Sequence, residues 1–334
     1  MDVILAATVI RQFGDRRPLV ELYKDVVDLA VEAERLGFDG IWLSEHHFQD
    51  NQWCPSLLPI LGAIAARTST LRLGTNLLVA PYHHPIRLAE DVATVDLLSN
   101  GRLDVILGTG SIRREFDTFA IAPNERWGRT FETLEVLQRS FSEEEFDHEG
   151  RYFQFPSLRM TTKPVQDPMP LWMAAAGPKT ITRAGGAGHH YATPTWTKAA
   201  EHWEIYATAV QEAGHDPSTR NFATFTGGVV APTWTNEQDA SFTAAVEGLM
   251  AFYASQETVF AGTGYDVMAD HPFANSLCGT PDDVLAMAEK HLAGSQLTHF
   301  ALSHLGPLES LQLFAREVLP TIRTWGRAPV RSII

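Results

Sequence analysis

Three short segments of this chain bring reactive side chains close enough in sequence to act together. Glu45-His46-His47 joins a carboxylate to two imidazoles, groups that move protons near neutral pH or ligate metals. Gly177-Pro178-Lys179-Thr180 reads as a helix start, where small residues let a phosphate approach unpaired N–H groups at the positive end of the dipole. The same residues also suit an ordinary loop in which Pro178 pre-sets the first turn. Gly108-Thr109-Gly110-Ser111-Ile112-Arg113 carries two glycines of a dinucleotide fingerprint, but Arg113 stands where the third is needed. Metal binding is disfavoured by spacing: neighbouring strand residues face opposite sides, and the chain contains no His-x-His pair. His83-His84 and His189-His190 fit structural hydrogen bonds better than ligand sets. Trp53, Tyr82 and Trp196 are candidates to line an apolar substrate site, with simple core packing as the plainer role for buried aromatics.

Positioning these groups requires an alternation of strands and helices, and the hydrophobic pattern supplies one. Val3 to Val9 reads as a buried strand, and Leu19, Leu22, Tyr23, Val26, Ala30 and Ala33 follow at helical spacing. Gly37 closes that helix in a left-handed turn before strand Gly40 to Leu43, and similar punctuation recurs at Gly188, Gly214 and Gly294. Further strands are expected at Leu71 to Val79, Leu103 to Leu107, Pro170 to Ala175, Tyr191 to Thr193, Ala223 to Ala231 and His299 to Ser303. A helix around Glu125 to Phe141 precedes an aromatic segment, residues 146–165, that reads as an inserted hairpin. Eight strands with helical crossovers predict an α/β fold, a (β/α)8 TIM barrel forming a single domain over 1–334. In such a barrel, catalytic groups lie just after the strands. That rule gathers Glu45 and His46, Thr75 and Asn76, Thr109 and Gly110, Ala175 through Thr180, and Trp196 at one end.

Composition narrows the function classes. The 334 residues are 45% hydrophobic and 20% charged, as in ordinary globular proteins, and the formal charge of −14 opposes binding to nucleic acid or an anionic membrane. Two cysteines, Cys54 and Cys278, are too few for a disulfide framework and suit a reducing cytoplasm. No secretion signal and no uninterrupted apolar run of membrane length is expected.

The ordered set Glu45-His46-His47-Phe48, Leu71-Arg72-Leu73-Gly74-Thr75, His84-Pro85-Ile86-Arg87-Leu88-Ala89-Glu90-Asp91 and Asp96-Leu97-Leu98-Ser99-Asn100-Gly101-Arg102 resembles the bacterial luciferase-like monooxygenases. The similarity continues through Glu115-Phe116 and Pro170 to Ala175 to the C-terminal Phe314 to Pro320. The resemblance implies a barrel that uses reduced FMN as co-substrate, supplied by a separate NAD(P)H-dependent flavin reductase. The flavin would react with O2 at C4a and oxygenate a small organic molecule, and related barrels commonly form homodimers. It implies His46 as the catalytic acid or base, and a cis peptide at Asn76-Leu77 beneath the flavin ring. Thr109 departs from an arginine common in the family, and Ala176 from a serine in bacterial luciferase. The phosphate would then depend on Gly177 to Thr180, with Lys179 or Arg113. A deazaflavin-dependent oxidoreductase on the same barrel and a flavin-binding protein without turnover are the alternatives; a metal-dependent barrel hydrolase is a more distant one.

Overall fold

The computed structural model describes residues 1–7, 17–49, 54–259 and 275–332. Twelve strands are present among them: β1 (Asp2–Ala7), β2 (Gly40–Leu43), β3 (Arg72–Thr75), β4 (Leu78–Val79), β5 (Leu103–Gly108), β6 (Phe146–Glu149), β7 (Gln154–Leu158), β8 (Leu171–Ala174), β9 (His190–Thr193), β10 (Phe222–Val230), β11 (Leu277–Gly279) and β12 (His299–His304). The main sheet has the order β12-β1-β2-β3-β5-β8-β9-β10, and β10 pairs again with β12. Its registered pairings are parallel, as helical crossovers require. This is the strand order of an eight-stranded βα barrel. Val9, at the expected end of the first strand, lies outside the described residues.

The backbone divides into two compact units. One comprises Met1–Ala7, Ala33–Gly40 and Ala174–Val330. Within it β1 and β12 run in register from Asp2↔His299 to Ala6↔Ser303, and β1 is buried throughout. Tyr191 stacks between Tyr206 and Phe222 at 5.0 and 5.4 Å, binding the helix Ala199–Glu212 to β9 and β10. The glycines expected to end helices do so in left-handed geometry, with φ of 86°, 72°, 81° and 69° at Gly37, Gly188, Gly214 and Gly294. β11, which the sequence pattern did not reveal, adds parallel to Gly228–Val230 at the end of β10.

The second unit comprises residues 8–32, 41–173 and 331–334. The apolar run from Leu71 to Val79 is not one strand. It breaks at Asn76-Leu77, whose peptide bond is cis, into β3 and β4, both of which pair with β5. The expected hairpin is antiparallel and covers β6 and β7, ending at Leu158 rather than near Val165. The remainder is pinned instead of paired: Lys163 Nζ donates to Ser140 O and Glu143 O, and the buried Asp96 carboxylate accepts the N–H groups of Val165 and Gln166.

Two histidines of the first unit are pushed in the acid direction. Burial lowers His189 to about 4, aided by Arg220, and burial lowers His304 to about 4; the buried Nε2 of His304 has no hydrogen-bond partner among the described residues. Because the folded values lie below the unfolded value near 6.5, the native state binds fewer protons in this window. Stability is therefore complete above about pH 6.5 and is lost as pH falls toward 4, by roughly 3 kcal/mol per histidine across the whole interval. Denaturant unfolding at several pH values should show that slope, and His189→Gln or His304→Gln should flatten it.

Candidate active site

The cluster in the second unit begins where β2 stops. Past Leu43 the backbone is held against the cis segment: Asn76 N donates to Leu43 O (2.6 Å), Ser44 Oγ donates to Asn76 O (2.7 Å), and Glu45 N donates to Leu77 O (3.3 Å). Close approach on both sides demands glycine. A Cβ on Gly74 would lie 2.3 Å from the Trp42 ring, and one on Gly108 would lie 2.4 Å from the Leu77 side chain. Thr75 is fully buried, and its hydroxyl donates to Ile106 O (2.8 Å) while accepting Ile106 N–H (2.9 Å). Its hydroxyl therefore clips β3 to β5.

Glu45 is 3% exposed. One carboxylate oxygen accepts the Val79 N–H at 2.9 Å; the other meets His47 Nε2 at 2.7 Å and His83 Nε2 at 3.2 Å. Burial by itself would raise this carboxyl, but the hydrogen bonds from His47 and His83 outweigh it and hold Glu45 below the usual carboxylate range. His83 thus has the structural role expected of it, and His47 shares it. His46 is the third imidazole, 21% exposed, with Nδ1 4.0 Å from Glu115 Oε1.

Glu115 is a functional candidate to which the sequence pattern assigned no role. Its helix, Arg113–Thr118, buries it to 2% exposure, where it accepts the His47 N–H (2.9 Å) and the Tyr82 hydroxyl (3.2 Å). Burial raises its carboxyl, with partial relief from His47 and Tyr82. Tyr82, expected in a substrate site, is anchored by that bond and stacks on Phe119 at 4.5 Å. Gly110 adopts φ 73° against this group: a Cβ there would come 2.8 Å from Val79 and 3.1 Å from the Tyr82 hydroxyl. Glu45, His46, Asn76, Tyr82 and Gly110 are therefore brought together. Phe48, 44% exposed at φ 55°, and Phe119 flank His47 at 5.7 and 5.0 Å. Thr109 is buried at 7% exposure and its hydroxyl donates to Gly110 O. Arg113 is exposed and pairs with Asp117 at 2.9 Å. Trp53 lies outside the described residues.

A second missed residue is Arg126. It is 7% exposed, its Nη1 donates to Pro123 O, and its buried Nε has no partner among the described residues. Burial depresses its guanidinium, the expected response of a cation removed from water. Only the three-dimensional setting distinguishes it from an ordinary surface arginine at a helix start.

In the first unit, the helix Pro178–Gly186 starts after Gly177 as expected. Ala175 N donates to Ala192 O and Ala175 O accepts the Tyr191 hydroxyl. The N–H groups of Thr180 and Ile181 turn back onto Gly177 O, so fewer donors point outward than the sequence suggested. Ala176 is half-buried and Lys179 exposed. Trp196 is buried, donates from Nε1 to Asn275 O (3.1 Å) and meets His291 at 4.8 Å.

A barrel-ordered parallel sheet with a carboxylate–imidazole cluster after its second strand defines a βα-barrel enzyme class in which strand-end residues carry the chemistry. The luciferase-like monooxygenase family matches this chain over residues 4–294, and the chain belongs to that family, whose members are oxidoreductases. Among its relatives, the oxygenase component of the flavin-dependent trigonelline monooxygenase of Acinetobacter baylyi is 31% identical over 170 residues, 50% of this chain and 47% of that protein. An F420-dependent glucose-6-phosphate dehydrogenase of Amycolatopsis mediterranei is 32% identical over 190 residues, 53% of each. The chain spans about half the length of the curated relatives it matches. The crystal structure of monooxygenase RslO1 from Streptomyces bottropensis superposes with a TM-score of 0.80 at 24% identity, covering 96% of this chain and 99% of that one. An F420-dependent secondary alcohol dehydrogenase superposes at 0.77 with 20% identity, over 96% and 99%. No helix among the described residues is long and apolar enough to cross a membrane.

Glu45→Gln tests the cluster's architecture. Glutamine keeps an acceptor for Val79 N–H but removes the charge that His47 and His83 share, so the variant should be about 2–4 kcal/mol less stable in denaturant unfolding at neutral pH. Its loss should be smaller at pH values low enough to protonate wild-type Glu45.

Proposed function

We propose that this chain is the oxygenase of a two-component FMN-dependent monooxygenase, with His46 as its proton-transfer group. The observation that carries the reading is the place of His46 just after β2, partly exposed and with its Nδ1 4.0 Å from the buried carboxyl of Glu115. An imidazole with solvent access suits acid–base work near neutral pH. The name of the Acinetobacter relative, an oxygenase component, supports a separate NAD(P)H-dependent reductase as partner.

The residues present suit a phosphorylated flavin. A buried guanidinium with an unpartnered Nε is the kind of group that holds an anion, and Arg126 supplies one. The Gly177–Thr180 helix start, with Lys179, is the other candidate seat. When bound, reduced FMN would supply the electrons that activate dioxygen for transfer of one oxygen atom to a small organic substrate. The chain's own contribution would be to bind the anion, fix the backbone at Asn76-Leu77, and hold or move a proton at His46. A deazaflavin-dependent hydride transfer on the same barrel is the second reading, favoured by similarity to the Amycolatopsis protein. The longer acidic tail of a deazaflavin calls for more cationic partners, and the chain carries 26 basic against 40 acidic residues. The balance favours FMN.

Titration with FMN and with the deazaflavin, each oxidised and reduced, should give tighter binding of FMN; preferential binding of the deazaflavin would replace the first reading by the second. Arg126→Gln should weaken FMN about tenfold or more, the scale of one charge-assisted hydrogen bond; the same loss in Lys179→Glu, with Arg126→Gln unchanged, places the phosphate at the helix start instead. Unchanged affinity in either variant removes that residue from the phosphate site.

His46→Ala should lose about 100- to 10,000-fold in turnover while folding normally and binding flavin. Turnover and melting temperature measured on one preparation separate this from a structural role, which would lower the melting temperature and spare turnover.

A further inference from the structure

Two buried carboxylates lie within this cluster, and they differ in how their charge is met. Glu45 faces two imidazole nitrogens at 2.7 and 3.2 Å and a backbone N–H. Glu115 is as deeply buried, but the groups that bond it are neutral: the His47 N–H and the Tyr82 hydroxyl. The titratable groups facing it are Glu45, His46 and His47 from the segment after β2, and Tyr82 from the short helical turn after β4. On its own helix, Arg113 is turned outward to Asp117. Among the described residues, the Nδ1 of His46 lies 4.0 Å from Glu115, and the His47 imidazole also acts on this carboxyl through space.

We infer that Glu115 is a positioning residue for His46: carboxyl and imidazole, 4.0 Å apart, form an electrostatically coupled pair, and Glu115 thereby sets the proton affinity of His46. The inference rests on the assignment of proton transfer to His46. Geometry limits the alternatives, because a solely structural acceptor for His47 N–H could be an amide, which carries no desolvation cost for charge. The opposed shifts of the two carboxyls, Glu45 down and Glu115 up, are what such a division of roles produces. Two groups this close titrate as a unit, each binding its proton more weakly when the other is already protonated and neutral or cationic. When the site takes up a proton, one of the two groups holds it, and the charge of the other sets how tightly. When His46 Nε2 gives a proton to a ligand, the pair regains one from solvent through the exposed edge of the imidazole.

The test uses the ligand-free protein, with histidine rings and glutamate carboxyls followed by NMR through a pH titration. In Glu115→Gln, which keeps an acceptor for His47 N–H but no charge, the His46 midpoint should fall by about one pH unit, because an ionised carboxylate at this range stabilises imidazolium. By reciprocity, His46→Gln should raise the Glu115 midpoint by a similar amount. An unchanged His46 midpoint in folded Glu115→Gln overturns the inference. Should that variant fail to fold, the His46→Gln measurement on Glu115 decides alone, with no change again overturning it. Under turnover, the limb of the pH–rate profile that reports His46 should move with the NMR midpoint in Glu115→Gln, whereas a merely structural role would lower the rate at every pH without moving the limb. If His46→Ala keeps full turnover while the NMR coupling is present, the proposed function fails and the coupled pair stands.

Discussion

The Glu45 carboxylate is the constraint around which the cluster is built. A charge with 3% exposure has no bulk water to solvate it, so the protein must supply donors in fixed directions, and here they come from Val79, His47 and His83. Each donor fixes something else. Val79 N–H ties down the start of β4, His47 fixes the path of the chain after β2, and His83 holds the turn that presents Tyr82. Glu45 and His47, two residues apart just after β2, meet through their side chains, while the His46 ring lies 4.0 Å from Glu115. The Glu45 carboxylate therefore engages two of the three clustered imidazoles, those of His47 and His83.

Backbone packing in this unit is equally specific. Trp42 lies where a side chain on Gly74 would be, Leu77 lies where one on Gly108 would be, and Thr75 spends its hydroxyl on Ile106. Any residue but glycine at position 74 or 108 would have to displace a fully buried indole or the residue that follows the cis bond. The segment that carries the catalytic candidate is thus held by main-chain and ring contacts on elements rather than by a free loop, which is what proton transfer over hydrogen-bond distances requires.

Much of this architecture is legible in the sequence because its signals are local. Apolar runs of strand length, helical spacing after them, and glycine at left-handed helix ends all belong to contiguous residues, and Gly37, Gly188, Gly214 and Gly294 adopt the geometry expected of them. The break at Asn76 is invisible to hydrophobic pattern, since Leu71 to Val79 stays apolar through it; the family resemblance, not periodicity, pointed to the cis bond found there. Glu115 and Arg126 are illegible for a different reason. Glutamate in a short polar helix and arginine at a helix start are ordinary surface residues, and only burial by distant segments turns them into an unusual acid and a buried cation whose Nε has no partner among the described residues. The Gly177 helix start was legible as a helix start, but the return of Thr180 and Ile181 N–H groups onto Gly177 O was not.

The relatives include a flavin-dependent monooxygenase component and an F420-dependent dehydrogenase, and under the proposed function either chemistry would ask the same of His46 and Glu115: a proton held at a defined atom and released at a defined moment. The two ligands differ chiefly in the anionic tail, so the choice must reside where anions are held. In a chain with 14 excess negative charges, each cation kept out of ion pairs stands out, and a buried guanidinium is the costliest of these to maintain without an anion to meet it. Arg126 therefore carries more information about the cofactor than the imidazoles do, although it is farther from any recognisable motif.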